Sequence, residues 1–183
     1  MNYTTVDALR KFGGFGASKD DILVHGMITA ASRLIDNHCK RRFAVETETV
    51  HTFTRRALLP HLDPFNGSIL MLDDDLAEAA SLITGTPTVS YLPSSSTPYW
   101  AIVNEDGGWT SPISVTGFWA FSKSAPEDIE FVCMRLAKWL YELRETTRGD
   151  AVVVTDQGAV LMPAALPADV LAVLSTYVRI GIA

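Results

Sequence analysis

Between Ser124 and Thr146 apolar residues recur at Ile129, Val132, Cys133, Leu136, Leu140 and Leu143, the spacing of one buried helical face. A second apolar set, Phe131, Met134, Trp139 and Tyr141, falls off that stripe. A helix with apolar groups on more than one face either lies deep in a core or also packs against a second partner. The pattern leaves both open, and Phe131 and Trp139 are the candidate contact residues of the second case. Ser124 stands three residues before Glu127, a capping-box spacing, with Pro126 in the first turn.

Two helices are expected upstream. Thr4 or Thr5 can cap a short one through Val6, Ala8, Leu9 and Phe12, which the glycines at 13, 14 and 16 stop. Ser18, Asp20 and Asp21 open a longer one, with apolar positions from Ile22 to Cys39 and an end near Arg42. Lys40, Arg41 and Arg42 then complement the negative end of its dipole and are read as solvated.

From Phe43 the texture changes. Val45 to Thr54 alternates β-branched and polar residues, a strand pattern. A segment broken by Pro60, Pro64 and Gly67 ends in the burst Ile69 to Leu72, and Asp73-Asp74-Asp75 after it reads as a solvated turn. Leu82 to Tyr91 and Tyr99 to Val103 read as strands around a Pro/Ser-rich loop, Asn104 to Gly108 as a turn, and Ile113 to Phe121 as a strand with Gly117 as its bulge candidate. Beyond Arg148-Gly149, Ala151 to Val154 and Ala159 to Met162 flank a turn at Thr155 to Gly158, an extended hairpin. Leu166-Pro167-Ala168-Asp169 begins a last helix with Leu171, Leu174 and Val178 on one face.

This order predicts an α+β fold: a helical bundle of long N-terminal, central and C-terminal helices with an inserted antiparallel β-region and an extended hairpin loop. The expectation is one domain over 1–183, helical in 1–43, β-rich in 44–122 and helix–hairpin–helix in 124–183.

Composition narrows the function. With 48% hydrophobic and 20% charged residues in 183, the chain can build a real core. A net charge of -6 argues against gripping nucleic acid by neutralising phosphates. Cys39 and Cys133 fall on predicted helices and read as small buried hydrophobes in a reducing compartment, although sequence does not exclude a disulfide. The first residues lack a signal-peptide pattern, and no apolar run approaches the roughly 18 residues that span a bilayer.

Catalytic motifs are scarce. The three aspartates lack the spacing of a calcium loop, and His25, His38, His51 and His61 form no pair at metal-ligand spacing on one element. The glycines at 13, 14 and 16 follow a helix rather than a strand, so they do not read as a phosphate cradle. No metal and no cofactor is expected, which favours a structural or interaction protein. Two alternatives stay open: a small cytosolic enzyme using His51 or Asp73, and a monomeric binding module with a β-rich recognition face.

Three stretches resemble the head–tail connector (adaptor, or head-completion) proteins of long-tailed bacteriophages. They are Ile28 to Phe43, running from a long helix into a strand; Ile113 to Trp119 leading through Ala125-Pro126-Glu127-Asp128-Ile129 into Leu136 to Arg144; and the Leu166-Pro167-Ala168-Asp169-Val170 helix start. The resemblance implies a non-catalytic virion protein assembled in the host cytoplasm. It implies a homo-oligomeric ring, usually twelvefold, at the head–tail interface. The implied partners are the portal protein and a tail or head-closure (stopper) protein, with genomic DNA passing without tight binding and no membrane contact. An acidic chain would repel rather than hold passing phosphates.

Gly149 to Ala165 is longer than a connection between packed helices needs. Its hairpin either folds back on its own subunit or orders against a neighbour. Val152, Val154, Asp156, Gln157 and Val160 are therefore candidate assembly contacts beside Phe131 and Trp139.

Overall fold

The computed structural model describes residues 1–13, 21–54, 68–82, 88–110, 112–146 and 166–179. The fold is α+β. The chain divides into a helical unit, residues 1–40 with 125–183, and a β unit, residues 41–124, inserted between its halves.

The helical unit contains α1 (Val6–Gly13), α2 (Asp21–Cys39), α3 (Glu127–Thr146) and α4 (Ala168–Leu174), followed by a 3₁₀ turn, Ser175–Tyr177. Of the two threonines, Thr5 caps α1: its Oγ1 accepts from the N–H of Ala8 at 3.2 Å and its carbonyl from Leu9 at 3.0 Å. Helix α2 stops short of Arg42 because Lys40 adopts φ 53, the left-handed position that ends many helices. Its apolar stripe, Val24, Met27, Ile28, Ala31, Leu34, Ile35 and Cys39, is buried as the periodicity predicts. It packs on the matching stripe of α3: Ile129, Val132, Cys133, Leu136, Ala137 and Leu140. At the seam Ser32 Oγ donates to the carbonyl of Ile28 at 2.9 Å, accepts from the N–H of Tyr3 at 3.1 Å and lies 3.4 Å from Cys133 Sγ. A buried hydroxyl is thus fully used. The Tyr3 hydroxyl donates to Asp36, which pins the N-terminal segment to α2.

Two expectations about helix ends fail locally. Helix α3 opens at Glu127, with the Pro126 carbonyl accepting from the N–H of Glu130 at 2.9 Å. The Ser124–Glu127 capping box does not form, because Ser124 lies outside the first turn and its carbonyl takes the hydroxyl of Ser122. Helix α4 opens after Pro167, but it buries Val170 and Leu174 rather than a Leu171–Leu174–Val178 face. It ends at Leu174, so Val178 is no longer on the helix and is exposed.

The β unit holds β1 (Thr49–Phe53), β2 (Ile69–Leu76), β3 (Glu78–Leu82), β4 (Val89–Leu92), β5 (Tyr99–Asn104) and β6 (Ile113–Phe118). They form two antiparallel three-stranded sheets, β1-β6-β3 and β2-β5-β4. Phe53, Leu70, Leu72, Leu76, Ile102, Trp109, Ile113, Val115 and Trp119 make their shared core. The first strand is shorter than the 45–54 pattern. The Leu82 to Tyr91 stretch is not one strand: its ends pair in different sheets, and 83–87 lie outside the described residues. The aspartates 73–75, expected as a turn, lie within β2.

One residue, Ala77, separates β2 in one sheet from β3 in the other, and its N–H donates to the Phe118 carbonyl at 2.9 Å. Beside it the β3–β6 register shifts between Ala79 and Ser81. The bulge therefore falls on β3, opposite the residue the sequence singled out, Gly117. Glycine is required there because a Cβ would fall on the Glu78 carbonyl oxygen and 2.8 Å from Leu76 Cδ1. Replacing Gly117 by alanine is expected to lower stability by about 2 kcal/mol, as overpacking does, measured by urea denaturation. A variant as stable as the parent would show that the bulge yields.

Candidate functional site

Of the seven candidate contact residues, Val152, Val154, Asp156, Gln157 and Val160 lie outside the described residues. Phe131 is 52% exposed on α3, and its ring meets Phe12 of α1 edge-on, centroids 5.4 Å apart. Trp139 is half-buried. The two thiols are free and buried. Among the described residues no group of three His, Cys, Asp or Glu side chains is placed to hold a metal ion.

The two residues named for an enzyme do come together, across the two sheets. Nδ1–H of His51 on β1 donates to Asp73 Oδ1 on β2 at 3.3 Å. The imidazole is stacked on Trp119, centroids 3.9 Å apart and planes 8° from parallel, and Trp119 Nε1 donates to the Thr49 carbonyl at 3.0 Å. A base and the carboxylate that orients it are two parts of a nucleophilic site; the third is a hydroxyl or thiol. Among the described residues the imidazole hydrogen-bonds to Asp73 alone. The arrangement joins β1 to β2.

Asp73 belongs to a larger cluster. From Met71 to Leu76, β2 advances while β5 moves only from Ala101 to Tyr99, and the aspartates fill the difference as a bulge. Bulging turns the three carboxylates apart. Asp73 faces His51, Asp74 Oδ2 lies 3.5 Å from Arg42 Nη2, and Asp75 Oδ2 lies 3.4 Å from Arg41 Nε. Asp74 Oδ1 also accepts the N–H of Asp75 at 2.8 Å. Asp75 is 5% exposed, and Arg41, its guanidinium 5.3 Å from the centre of the Phe121 ring, is nearly as enclosed. The turn reading is corrected accordingly: Asp73 and Arg42 do face solvent, whereas Asp75 and Arg41 are enclosed. Both arginines follow the helix end at Lys40 and are spent on the β unit rather than on the dipole of α2. No local spacing signals these pairs, because their members lie more than thirty residues apart in sequence.

In the helical unit, burial pushes the Cys133 thiol up to about 11, partly offset by the hydrogen bond with Ser32. Tyr177 donates to Asp128 Oδ2 at 2.6 Å, and burial followed by that bond pushes its phenol up to about 12.

No family model matches the sequence, and no curated protein matches it. The fold, however, is shared. The chain is similar to one in a solved structure described as "Neck of empty GTA particle computed with C6 symmetry". The two are 15% identical, the match covers 97% of this chain and 90% of that one, and the TM-score is 0.63. At that identity the likeness is one of fold.

Two outcomes are expected. Asp75→Asn leaves the enclosed Arg41 without its charge partner and is expected to cost about 3 kcal/mol in urea denaturation, whereas Asp73→Asn, at an exposed carboxylate, costs about 0.5 kcal/mol. Equal losses would disprove the ranking. For Cys133 the neutral thiol is favoured in the folded state, so its contribution is whole below the ordinary thiol value of 9.0 and is lost as pH rises from there towards about 11. Cys133→Ala should therefore flatten the stability-against-pH curve in that window and leave its shape below pH 9 unchanged, read from thermal melts.

Proposed function

We propose that this chain is a structural virion protein of the particle neck. In this reading it forms a ring between the capsid portal and the tail, extends the DNA channel and offers the tail its docking surface. The observation that carries it is the likeness of nearly the whole fold to a chain in the neck of a GTA particle. The resembling stretches give independent support, since they fall on α2, on β6 and α3, and on the start of α4. The sixfold symmetry applied to that neck is compatible with a twelvefold ring, because twelvefold symmetry contains it.

The reading assigns no catalysis and no cofactor. The net charge of -6 suits a channel wall past which DNA slides. The segment 149–165, with Val152, Val154, Asp156, Gln157 and Val160, is proposed to order against a neighbouring subunit, the portal or the next ring.

The test is electron microscopy of the protein mixed with portal-bearing particles. Ring density at the portal vertex is expected, with tails then attaching. A chain lacking 151–162 should still fold but block tail attachment. A parent chain that never binds the particles overturns the proposal. Filter binding with duplex DNA at physiological salt should show no measurable affinity; sub-micromolar binding with a steep salt slope would contradict the sliding-channel role.

A further inference from the structure

The two sheets have four edge strands, β1 and β3 in one, β2 and β4 in the other. An open edge is a row of backbone groups able to template a further strand, and folded chains block such edges with charges, bulges or covering groups. Three of the four are blocked. On β1 the Thr49 carbonyl takes Trp119 Nε1, and His51 is bonded to Asp73. On β2 the aspartate bulge breaks the line. On β3 the register shifts, and Glu78 is paired with Lys123. Strand β4 has none of these devices: Val89, Ser90, Tyr91 and Leu92 are uncharged and run in unbroken register against β5.

The ladder fixes which groups that edge offers. The N–H of Glu105 donates to the Thr88 carbonyl at 2.8 Å, so residues 88 and 105 form a hydrogen-bonded pair. Such pairs alternate along an antiparallel ladder. Ser90 with Val103 and Leu92 with Ala101 therefore bond each other, while Val89 and Tyr91 turn their N–H and C=O groups away from β5. Asn104 agrees, since its N–H points to the opposite side, donating to the Ser68 carbonyl at 2.9 Å. Among the described residues no strand lies on the outer side of β4. Its two ends differ in chemistry. At one end Asp106 Oδ2 accepts the Thr88 N–H at 2.7 Å, and Glu105 Oε1 accepts the Ser90 hydroxyl. Both carboxylates are exposed, and neither has an ion-pair partner among the described residues. Toward the other end the Tyr91 and Tyr99 rings lie with centroids 4.9 Å apart, packed against the core of the β unit.

We propose that β4 is a docking edge for an extended segment of another protein, which joins the β2-β5-β4 sheet as a fourth strand. It pairs with the outward backbone groups of Val89 and Tyr91 and sets a lysine or arginine beside Glu105 and Asp106. Backbone pairing supplies the affinity, and alternate side chains choose the partner. The charge decides between occupants. The β4 strand of a second copy satisfies the same backbone groups, but Val-Ser-Tyr-Leu brings no cation and leaves both carboxylates unmatched. The incoming segment is therefore unlike β4: apolar or β-branched where it passes Tyr91, and basic at the Thr88 end. The site lies wholly in the β unit and does not depend on the neck reading.

Amide exchange with a defined peptide tests it. In the free full-length chain the Val89 and Tyr91 amides should exchange at least about tenfold faster than those of Ser90 and Leu92. The peptide acetyl-Lys-Val-Thr-Val-Thr-amide, at millimolar concentration, should slow the Val89 and Tyr91 amides by at least about fivefold. Methylating one alternating set of the peptide's nitrogens should abolish that protection, and methylating the other set should leave it. Val89→Pro removes an outward N–H while sparing the β5 ladder, and should abolish binding. Glu105→Gln with Asp106→Asn keeps both side-chain acceptors but removes their charge. It should weaken the lysine peptide by about tenfold and leave a version with threonine in place of lysine unaffected. No protection by the lysine peptide, or indifference to N-methylation, overturns the docking edge. Protection of the same amides on concentrating the chain alone overturns the basic partner in favour of self-pairing.

Discussion

The β unit depends on keeping Asp75 and Arg41 together out of water. A carboxylate that is 5% exposed is tolerable only beside a cation, and that cation is supplied by the first residue of the unit. The bulge in β2 exists to point Asp75 there. Without it the strand would carry three successive charges alternately into the core and out, and Leu76 could not come into register with Tyr99. The same bulge places Asp73 beside His51 and so ties β1, which pairs with β6 among the described residues, to the opposite sheet.

In the helical unit apolar burial dominates and polar contacts tune it. The α2–α3 seam is lined by large aliphatic side chains, and its polar inclusions, Ser32 and Cys133, satisfy each other. Such a seam needs nothing from the outer faces of the two helices. Those faces carry the exposed Ile22 and the partly exposed Phe131, whose ring meets Phe12 of α1.

How legible all this was depends on how local the cause is. The stripes of α2 and α3 could be read directly, because a period of 3.6 is written into neighbouring residues. Where α2 ends could not, since Lys40 carries no glycine signal for its left-handed turn. Strand β3, Glu-Ala-Ala-Ser-Leu, has the composition of a helix and becomes a strand only because β6 offers it a ladder. The aspartate run looked like a turn because its partners are distant: Arg41 and Arg42 precede the first strand, and His51 lies on it. The enzyme alternative named His51 and Asp73 without foreseeing that they would meet. Phe131 showed as an apolar residue off the stripe, but its edge-on contact with Phe12 could be read only once α1 was packed on α3.

The way the insert is tied off has a consequence for how the chain reaches this state. Its entry and exit segments run side by side: the Arg42 carbonyl accepts from the N–H of Phe121 at 2.8 Å, the Phe43 carbonyl from the N–H of Ser122 at 3.2 Å, and the rings of Phe43 and Phe121 lie with centroids 5.7 Å apart. Helices α2 and α3 must find each other across residues 41–124, and in an open chain that search carries the entropy of closing a very long loop. Once the insert has closed its own neck, the helices are tethered by a short link instead. Closing the insert first is therefore expected to speed the pairing of α2 with α3.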